Sequence, residues 1–220
     1  MDSITPSGGR RSEDSATRGE VTDVDLLKRA WCNEKAAPEI LHFEAALVQR
    51  AKEQIQLLEE TVEEFTADRS DDLLVSLYQM DLDRSLFLLR SYLRIRIQKI
   101  EKYMLHISKT SLWDRLSEQE QRFAKKCIDI MEKHLEQSVL SRLPYGYQSM
   151  LKQSISSEED DMVPEPQLDT FVFCKTKNDV GAFQLDDTGE EIVDLVADDL
   201  YVLRYNSIKG LVEAGRVDLV

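Results

Sequence analysis

Three histidines and three cysteines are the residues best equipped to hold a metal or act as nucleophiles, and their spacing supports neither role. His42, His106 and His134 form no H-x-x-x-H or H-E-x-x-H pair, and no cysteine lies within four residues of any of them. The ligand spacing of a zinc site is therefore missing. Cys32, Cys127 and Cys174 are odd in number and scattered, which makes no disulfide framework and points to a reducing compartment. No glycine-rich phosphate loop, G-x-S-x-G elbow or kinase signature occurs. Carboxylates abound, but acid–base work needs a pair whose surroundings split their pKa values. Glu158-Glu159-Asp160-Asp161 lacks the glycine and the terminal glutamate of a calcium loop and reads as solvated linker. We expect no catalytic, cofactor-binding or metal-binding residue, and a chain that is not an enzyme.

One constellation stands out: Arg90, Arg94, Arg96, Lys99 and Lys102, interleaved with Tyr92 on a long apolar stripe. Such a face can touch nucleic-acid phosphates. It can equally favour a helix C-terminus and pair with acidic neighbours. The chain as a whole opposes strong, autonomous binding to nucleic acid or anionic membrane. It has 220 residues, 28 Lys+Arg against 42 Asp+Glu and a net charge of −14, and both kinds of binding rest on cations. No run of about 18 apolar residues offers a membrane span. The first twenty residues have no apolar stretch of the signal-peptide kind. The charge is uneven: residues 23–152 carry 20 basic and 22 acidic groups, whereas 153–220 carry five and 16. That step marks a boundary.

The elements that position these residues follow from periodicity. Residues 1–22 are polar and nearly free of large apolar groups, which predicts a disordered tail. A first helix starts near Asp23 with Val24, Leu27 and Trp31 on one face and ends before Pro38. Leu47, Ala51, Ile55, Leu58, Val62 and Phe65 predict a second helix over 44–67. Ser70 suits the cap of a third, over 71–107, striped by Leu82, Leu86, Leu89, Leu93, Ile97, Ile100, Met104 and Ile107. Leu88, Tyr92, Ile95 and Tyr103 widen this stripe, so the helix should be covered on two sides. Ser117-Glu118-Gln119-Glu120 has capping-box form and opens a fourth helix with Phe123, Cys127, Ile130, Met131 and Leu135 on its apolar face.

An acidic linker over 144–165 follows, and after Pro166 short β-branched and aromatic runs predict strands. They lie near 170–174, 182–185, 192–196 and 201–205, with a short helix over 207–214 and a terminal strand over 217–220. About 55 residues are marginal for a fold of their own, so this module should lean on something else. The expected architecture is mainly α. A helical bundle of long antiparallel helices (A domain, 23–143) precedes a small β-rich C-terminal B domain (166–220).

In an antiparallel hairpin of the second and third helices, Glu59, Glu60, Glu63 and Glu64 lie opposite residues 74–79, and Arg90 opposite residue 48. The acidic and basic clusters then do not meet within the hairpin, and each must face solvent, another helix or another chain. This favours a subunit of a helical assembly.

These residues also resemble a known family. Trp31-Cys32-Asn33-Glu34-Lys35 followed by Ala37-Pro38-Glu39-Ile40-Leu41 is similar to the W-x-N-E-x-x-A-P-E-[IL]-L opening of the Sld-five family of GINS subunits. Tyr92-Leu93-Arg94-Ile95-Arg96-Ile97-Gln98-Lys99-Ile100-Glu101-Lys102 resembles its Y-L-R-x-R-[LI]-x-K-I-E-K block, and Leu116-Ser117 with Glu120 its L-S-x-x-E helix start. Pro166-Gln167-Leu168-Asp169 with Phe171-Val172-Phe173 resembles P-x-L-D-x-[FY]-V-F, and Gly215 to Val220 the closing G-x-V-x-L-[IV]. The resemblance implies a nuclear, non-catalytic scaffold without a cofactor. Its partners would be three Psf subunits in a heterotetramer and, through it, the Mcm helicase and the cell-division-cycle cofactor of the CMG replicative helicase. DNA contact would be indirect or weak.

On this reading Leu86, Leu89, Tyr92, Leu93, Arg94, Arg96, Ile97, Lys99 and Ile100 form the partner interface, with Arg94 and Arg96 in buried or interfacial ion pairs. Phe171, Phe173, Val217, Leu219 and Val220 dock the B domain. The alternatives are a standalone helical or coiled-coil adaptor, which needs no β-rich tail, and a direct DNA-binding module using the 90–102 face.

Overall fold

A computed structural model of the chain describes residues 21–68, 72–185 and 192–220. The expectations for residues 1–20, and for Ser70 as a cap, lie outside the described residues. Thr22, counted with the tail above, belongs to the fold. Its hydroxyl accepts the Asp25 N–H while the Asp25 carboxylate returns to the Thr22 backbone, a capping box. It opens α1 (Asp23–Ala36), followed by α2 (Ala45–Ala67), α3 (Asp72–Lys109) and α4 (Glu118–Ser138). Short 3-10 turns at Ser111–Arg115 and Leu140–Arg142 flank α4.

α2 and α3 run antiparallel. Phe65 stacks on Tyr78 with ring centroids 5.5 Å apart, and some twenty residues away along α2 the Glu44 N–H reaches the Tyr92 hydroxyl at 3.3 Å. α1 closes the layer, so that Leu27, Val48, Ala51, Ile55, Leu82, Leu88, Leu89 and Tyr92 form one core. Farther along α3, on either side of non-helical dihedrals at Tyr103, Ile100 and Ile107 share a second core with Ile40, Leu112, Leu116 and Ala124. The buried line of α3 runs through Leu82, Ser85, Leu89, Tyr92, Arg96, Ile100, Met104 and Ile107. It is rotated from the aliphatic stripe expected above, because Arg96 takes an inward position that hydropathy gave to Leu93 and Ile97. Ile97 is 40% exposed.

The strand-rich part comprises β1 (Phe171–Thr176), β2 (Gly181–Gln184), β3 (Ile192–Leu195), β4 (Leu200–Arg204), α5 (Tyr205–Glu213) and β5 (Val217–Leu219). β1 is the middle strand of an antiparallel sheet in the order β4-β1-β5, and β2 pairs with β3. Alternation along β1 buries Val172, Cys174 and Thr176 and leaves Phe171, Phe173 and Lys175 outward. Tyr205, expected as strand, is instead the first residue of α5 and fully buried. Gly215, at φ 68°, turns the chain from α5 into β5. The core of this part is completed by Ala37 from the segment after α1, with Ala36 and Leu41 packed around it. The module that was too small to stand alone leans on the chain's own first helix.

Candidate functional site

At the boundary between the helices and the strands lies a chain of buried, alternating charges. Arg96 is its centre and is fully buried. It projects from α3 and uses all five N–H groups. Nε and Nη2 grip the Glu120 carboxylate at 2.7 and 3.1 Å, and Nη1 meets Glu34 Oε2 at 2.9 Å and the Leu41 carbonyl at 2.8 Å. Nη2 also donates to the Arg115 carbonyl at 3.2 Å. The two-pronged grip is the geometry only a planar guanidinium offers. Its carbon lies 5.3 Å from the Phe43 ring centroid and 5.7 Å from that of Tyr92, within cation–π range. Burial opposes its charge, yet Glu120 and Glu34 outweigh that and hold it more firmly protonated than a free arginine.

Each carboxylate is held twice. Glu120 is the third residue of α4, where it accepts the Ser117 N–H at 2.8 Å while the Ser117 hydroxyl accepts the Glu120 N–H. The capping box thus starts the helix and aims the carboxylate at Arg96. Glu34, on α1, also takes Lys99 Nζ at 2.8 Å, and Lys99 donates as well to the carbonyls of Glu34 and Glu39. Burial, the largest influence on Lys99, lowers its pKa despite Glu34.

A second knot lies next to the first. Glu39, 3% exposed, receives Arg115 Nη1 and the Tyr205 hydroxyl on Oε1, both at 3.1 Å, and Lys209 Nζ on Oε2 at 2.9 Å. Arg115 also meets Glu213 at 2.5 Å. Burial, reinforced by Glu39, raises the Tyr205 pKa, so its phenol stays a donor. Asn33 completes the junction: its side-chain oxygen accepts the Leu219 N–H of β5 at 2.6 Å and its amide meets Asp218 at 3.4 Å. Asp218 also pairs with Arg29 and Lys177. Three motifs far apart in sequence therefore meet in space: Asn33, Glu34 and Glu39 on the first, Arg96 and Lys99 on the second, Glu120 on the third.

This arrangement fastens the helices to the strands. Its donors and acceptors are consumed by one another. Among the described residues no group of three or more His, Cys, Asp or Glu is placed to hold a metal ion. Among the described residues no helix is long and apolar enough to cross a membrane.

Family models match this chain in two pieces. Residues 49–139 match the GINS complex protein helical bundle domain, and residues 166–220 match the DNA replication complex GINS protein SLD5 C-terminus. A curated protein of Arabidopsis thaliana called "DNA replication complex GINS protein SLD5" is 55% identical over 223 residues, covering all of both chains. The chain belongs to the GINS SLD5 family. SLD5 proteins of Dictyostelium discoideum, at 32% identity over 91% of this chain and 93% of that one, and of Chaetomium globosum, at 34% over 91% of each, are similar along their length. The helical bundle and the C-terminal part matched by the SLD5 models are the two regions that the buried junction joins.

The residues assigned above to a partner interface part ways in the structure. Leu89, Tyr92, Arg96 and Ile100 are buried within the chain itself, and the Lys99 side chain is 11% exposed. They serve the chain's own fold: Arg96 and Lys99 find their carboxylates in Glu34 of α1 and Glu120 of α4, while Glu59, Glu60, Glu63 and Glu64 of α2 are exposed. Leu86 and Leu93 are half-buried against the α1–α2–α3 core. Arg94 and Ile97 face outward. In the strand-rich part Val217 and Leu219 are buried, whereas Phe171, Phe173 and Val220 are more than half exposed. Phe171 is covered on one side by Arg204 at 5.6 Å, its cross-strand partner. Sequence reasoning missed Arg115, Tyr205, Lys209 and Asp218, which no local pattern marks. A signal for Arg96 existed: it stands on the same helical row as Tyr92, Ile100 and Met104.

Proposed function

We propose that the chain is a structural, non-catalytic subunit of the GINS complex, assembled as a heterotetramer with three Psf subunits. Through that complex it scaffolds the Mcm helicase and the cell-division-cycle cofactor into the CMG replicative helicase during initiation and elongation of chromosomal replication, in the nucleus. Residues 23–143 act as the helical A domain, 144–165 as an acidic linker and 166–220 as the B domain. The observation that carries this reading is end-to-end similarity to proteins named as GINS replication subunits, together with an apolar ridge left open on α3. Met80 and Phe87, 66% and 60% exposed, lie about two turns apart on one row of α3 away from its buried line, with Leu77 and Ile97, 51% and 40% exposed, flanking that row on either side. Exposed apolar rows of this kind favour partner helices. The partner interface is accordingly placed on this ridge with Arg94 beside it, flanked by Leu86 and Leu93. Direct DNA binding is disfavoured, since Arg96 and Lys99 of the basic face are consumed internally.

Co-expression with three Psf candidates and size exclusion tests the reading. A single four-chain peak is expected, and Phe87→Asp and Ile97→Asp should leave it while retaining native helical content. Normal co-elution of both variants overturns the interface, and homodimers indifferent to Psf chains overturn the assembly.

A further inference from the structure

We infer that Ser157 is a phosphorylation site for an acid-directed serine kinase, and that its modification unfastens the segment between the helices and the strands. This rests on the loop alone and is independent of the assembly proposed above. Residues 144–170 contain no helix or strand. Three hydroxyls gather there: Ser154 Oγ lies 2.8 Å from Ser156 Oγ and 3.3 Å from Ser157 Oγ. Ser157 donates to Asp161 Oδ2 at 3.0 Å, and the other oxygen of Asp161 accepts the Gln153 N–H at 2.7 Å. Asp161 is thus the clasp of a small ring. Lys109 of α3 reaches Asp160, and His106 lies 3.3 Å from Glu165, which moors the ring to the end of that helix.

Ser157 is followed by Glu158, Glu159, Asp160 and Asp161, four consecutive carboxylates of a kind that a kinase groove lined with Lys and Arg recognises. Ser156 has a serine before its first acid, and Ser154 reaches none until its fourth following residue. Of the other hydroxyls directly followed by an acid, Thr22 and Ser117 are committed to helix caps, and Ser12 and Ser70 lie outside the described residues. The Ser157 loop has no such framework: Ile155 and Met162 are 65% and 56% exposed, so no core holds its backbone, and local opening into a kinase groove costs little.

In the transfer, Ser157 Oγ bonds to the γ-phosphorus of ATP, the bond from that phosphorus to the β–γ bridging oxygen breaks, and ADP departs with the electron pair. The hydroxyl proton passes to the kinase's carboxylate base. The product replaces a donor with a phosphate of about −1.5 to −2 charge. Asp161 can no longer accept from Ser157 and is repelled. Lys152, whose Nζ now caps the Ser157 and Glu158 carbonyls at 3.3 and 3.4 Å, is the cation within reach of the phosphate. The new phosphate also stands three residues beyond Ser154, supplying the acid that Ser154 lacks, so a second transfer follows the first.

The test uses the full chain, alone and with its co-purified partners, incubated with casein kinase 2 and MgATP, with sites mapped by fragmentation mass spectrometry. Phosphate should appear first on Ser157 and later on Ser154. Ser157→Ala should lose both, and Glu158→Gln/Glu159→Gln/Asp160→Asn should slow the first transfer about tenfold or more. Hydrogen exchange at the Gln153 amide should rise about tenfold in the phosphorylated protein. Phosphate elsewhere with Ser157 bare, or an undiminished rate in the neutralised variant, overturns the site. An unchanged Gln153 amide overturns the unfastening.

Discussion

Arg96→Met is the most informative single substitution in the junction. It removes five hydrogen bonds at once and keeps much of the side-chain volume. Breaking a buried ion pair by deleting one partner costs about 3–5 kcal/mol, since the other charge is left uncompensated. Here two carboxylates are stranded, but neither completely: Glu34 keeps Lys99 and Glu120 keeps Ser117. The Leu41 and Arg115 carbonyls lose a donor each. The lower end of the range, about 3 kcal/mol, is therefore expected. For a chain of this size, with a urea slope of about 2–3 kcal/mol/M, the midpoint should fall by about 1–1.5 M in equilibrium unfolding followed by circular dichroism. Arg96→Lys should lose nearly as much, because a point charge cannot make the fork to Glu120. Adding Glu120→Gln to Arg96→Met should recover part of the loss, since the stranded charge is gone. An Arg96→Met midpoint within about 0.2 M of wild type would refute the claim that this network holds the bundle together.

Three further outcomes follow from the same junction. Glu39→Gln should let the strand-rich part melt before the helices, giving two calorimetric transitions where the wild type gives one; a single unshifted transition would contradict the coupling. Asn33→Ala leaves the Leu219 N–H without its acceptor and should cost about 1–3 kcal/mol, read as faster exchange of that amide. Burial raises Tyr92 from 10.0 to about 12. A raised folded-state pKa means stability is intact below pH 10 and is lost as pH climbs toward 12, by about 3 kcal/mol in all. Tyr92→Phe should flatten that alkaline decline in urea midpoints measured from pH 8 to pH 11, and an equally steep decline would exclude Tyr92 as its source.

Much of the helical layout was legible because long amphipathic helices repeat their signal over many turns. α2 and α4 began within a residue or two of expectation, and the α4 cap was readable from Ser117 and Glu120 alone. The rotation of α3 was not legible. Hydropathy ranks Ile97 above Arg96, yet Arg96 is inside, because Glu34 and Glu120 arrive from other helices and satisfy its charge. No window on α3 contains those partners. Tyr205 shows the same limit: its aromatic ring extended the β4 pattern, but it heads α5, buried in the strand-rich core with its hydroxyl on Glu39. The contacts of Glu39 with Tyr205 and Lys209 span 166 and 170 residues, and periodicity carries no information over that distance.

The separation between Asn33 and Leu219 also sets an order of events during synthesis. At about 5–20 residues per second, the 186 residues between them take about 10–40 s to leave the ribosome. During that interval Glu34, Arg96 and Glu120 can already close, since all three lie about a hundred residues or more before Leu219. Asn33 must wait for β5, and Glu39, with Arg115 already in reach, must wait for Tyr205 and Lys209. The nascent protein therefore passes through a stage with a complete helical core and an open seat, which β5 fills. Until β5 arrives, Asn33 has no backbone donor to hold, so the closing of this junction is set by residues 217–219 rather than by the helices.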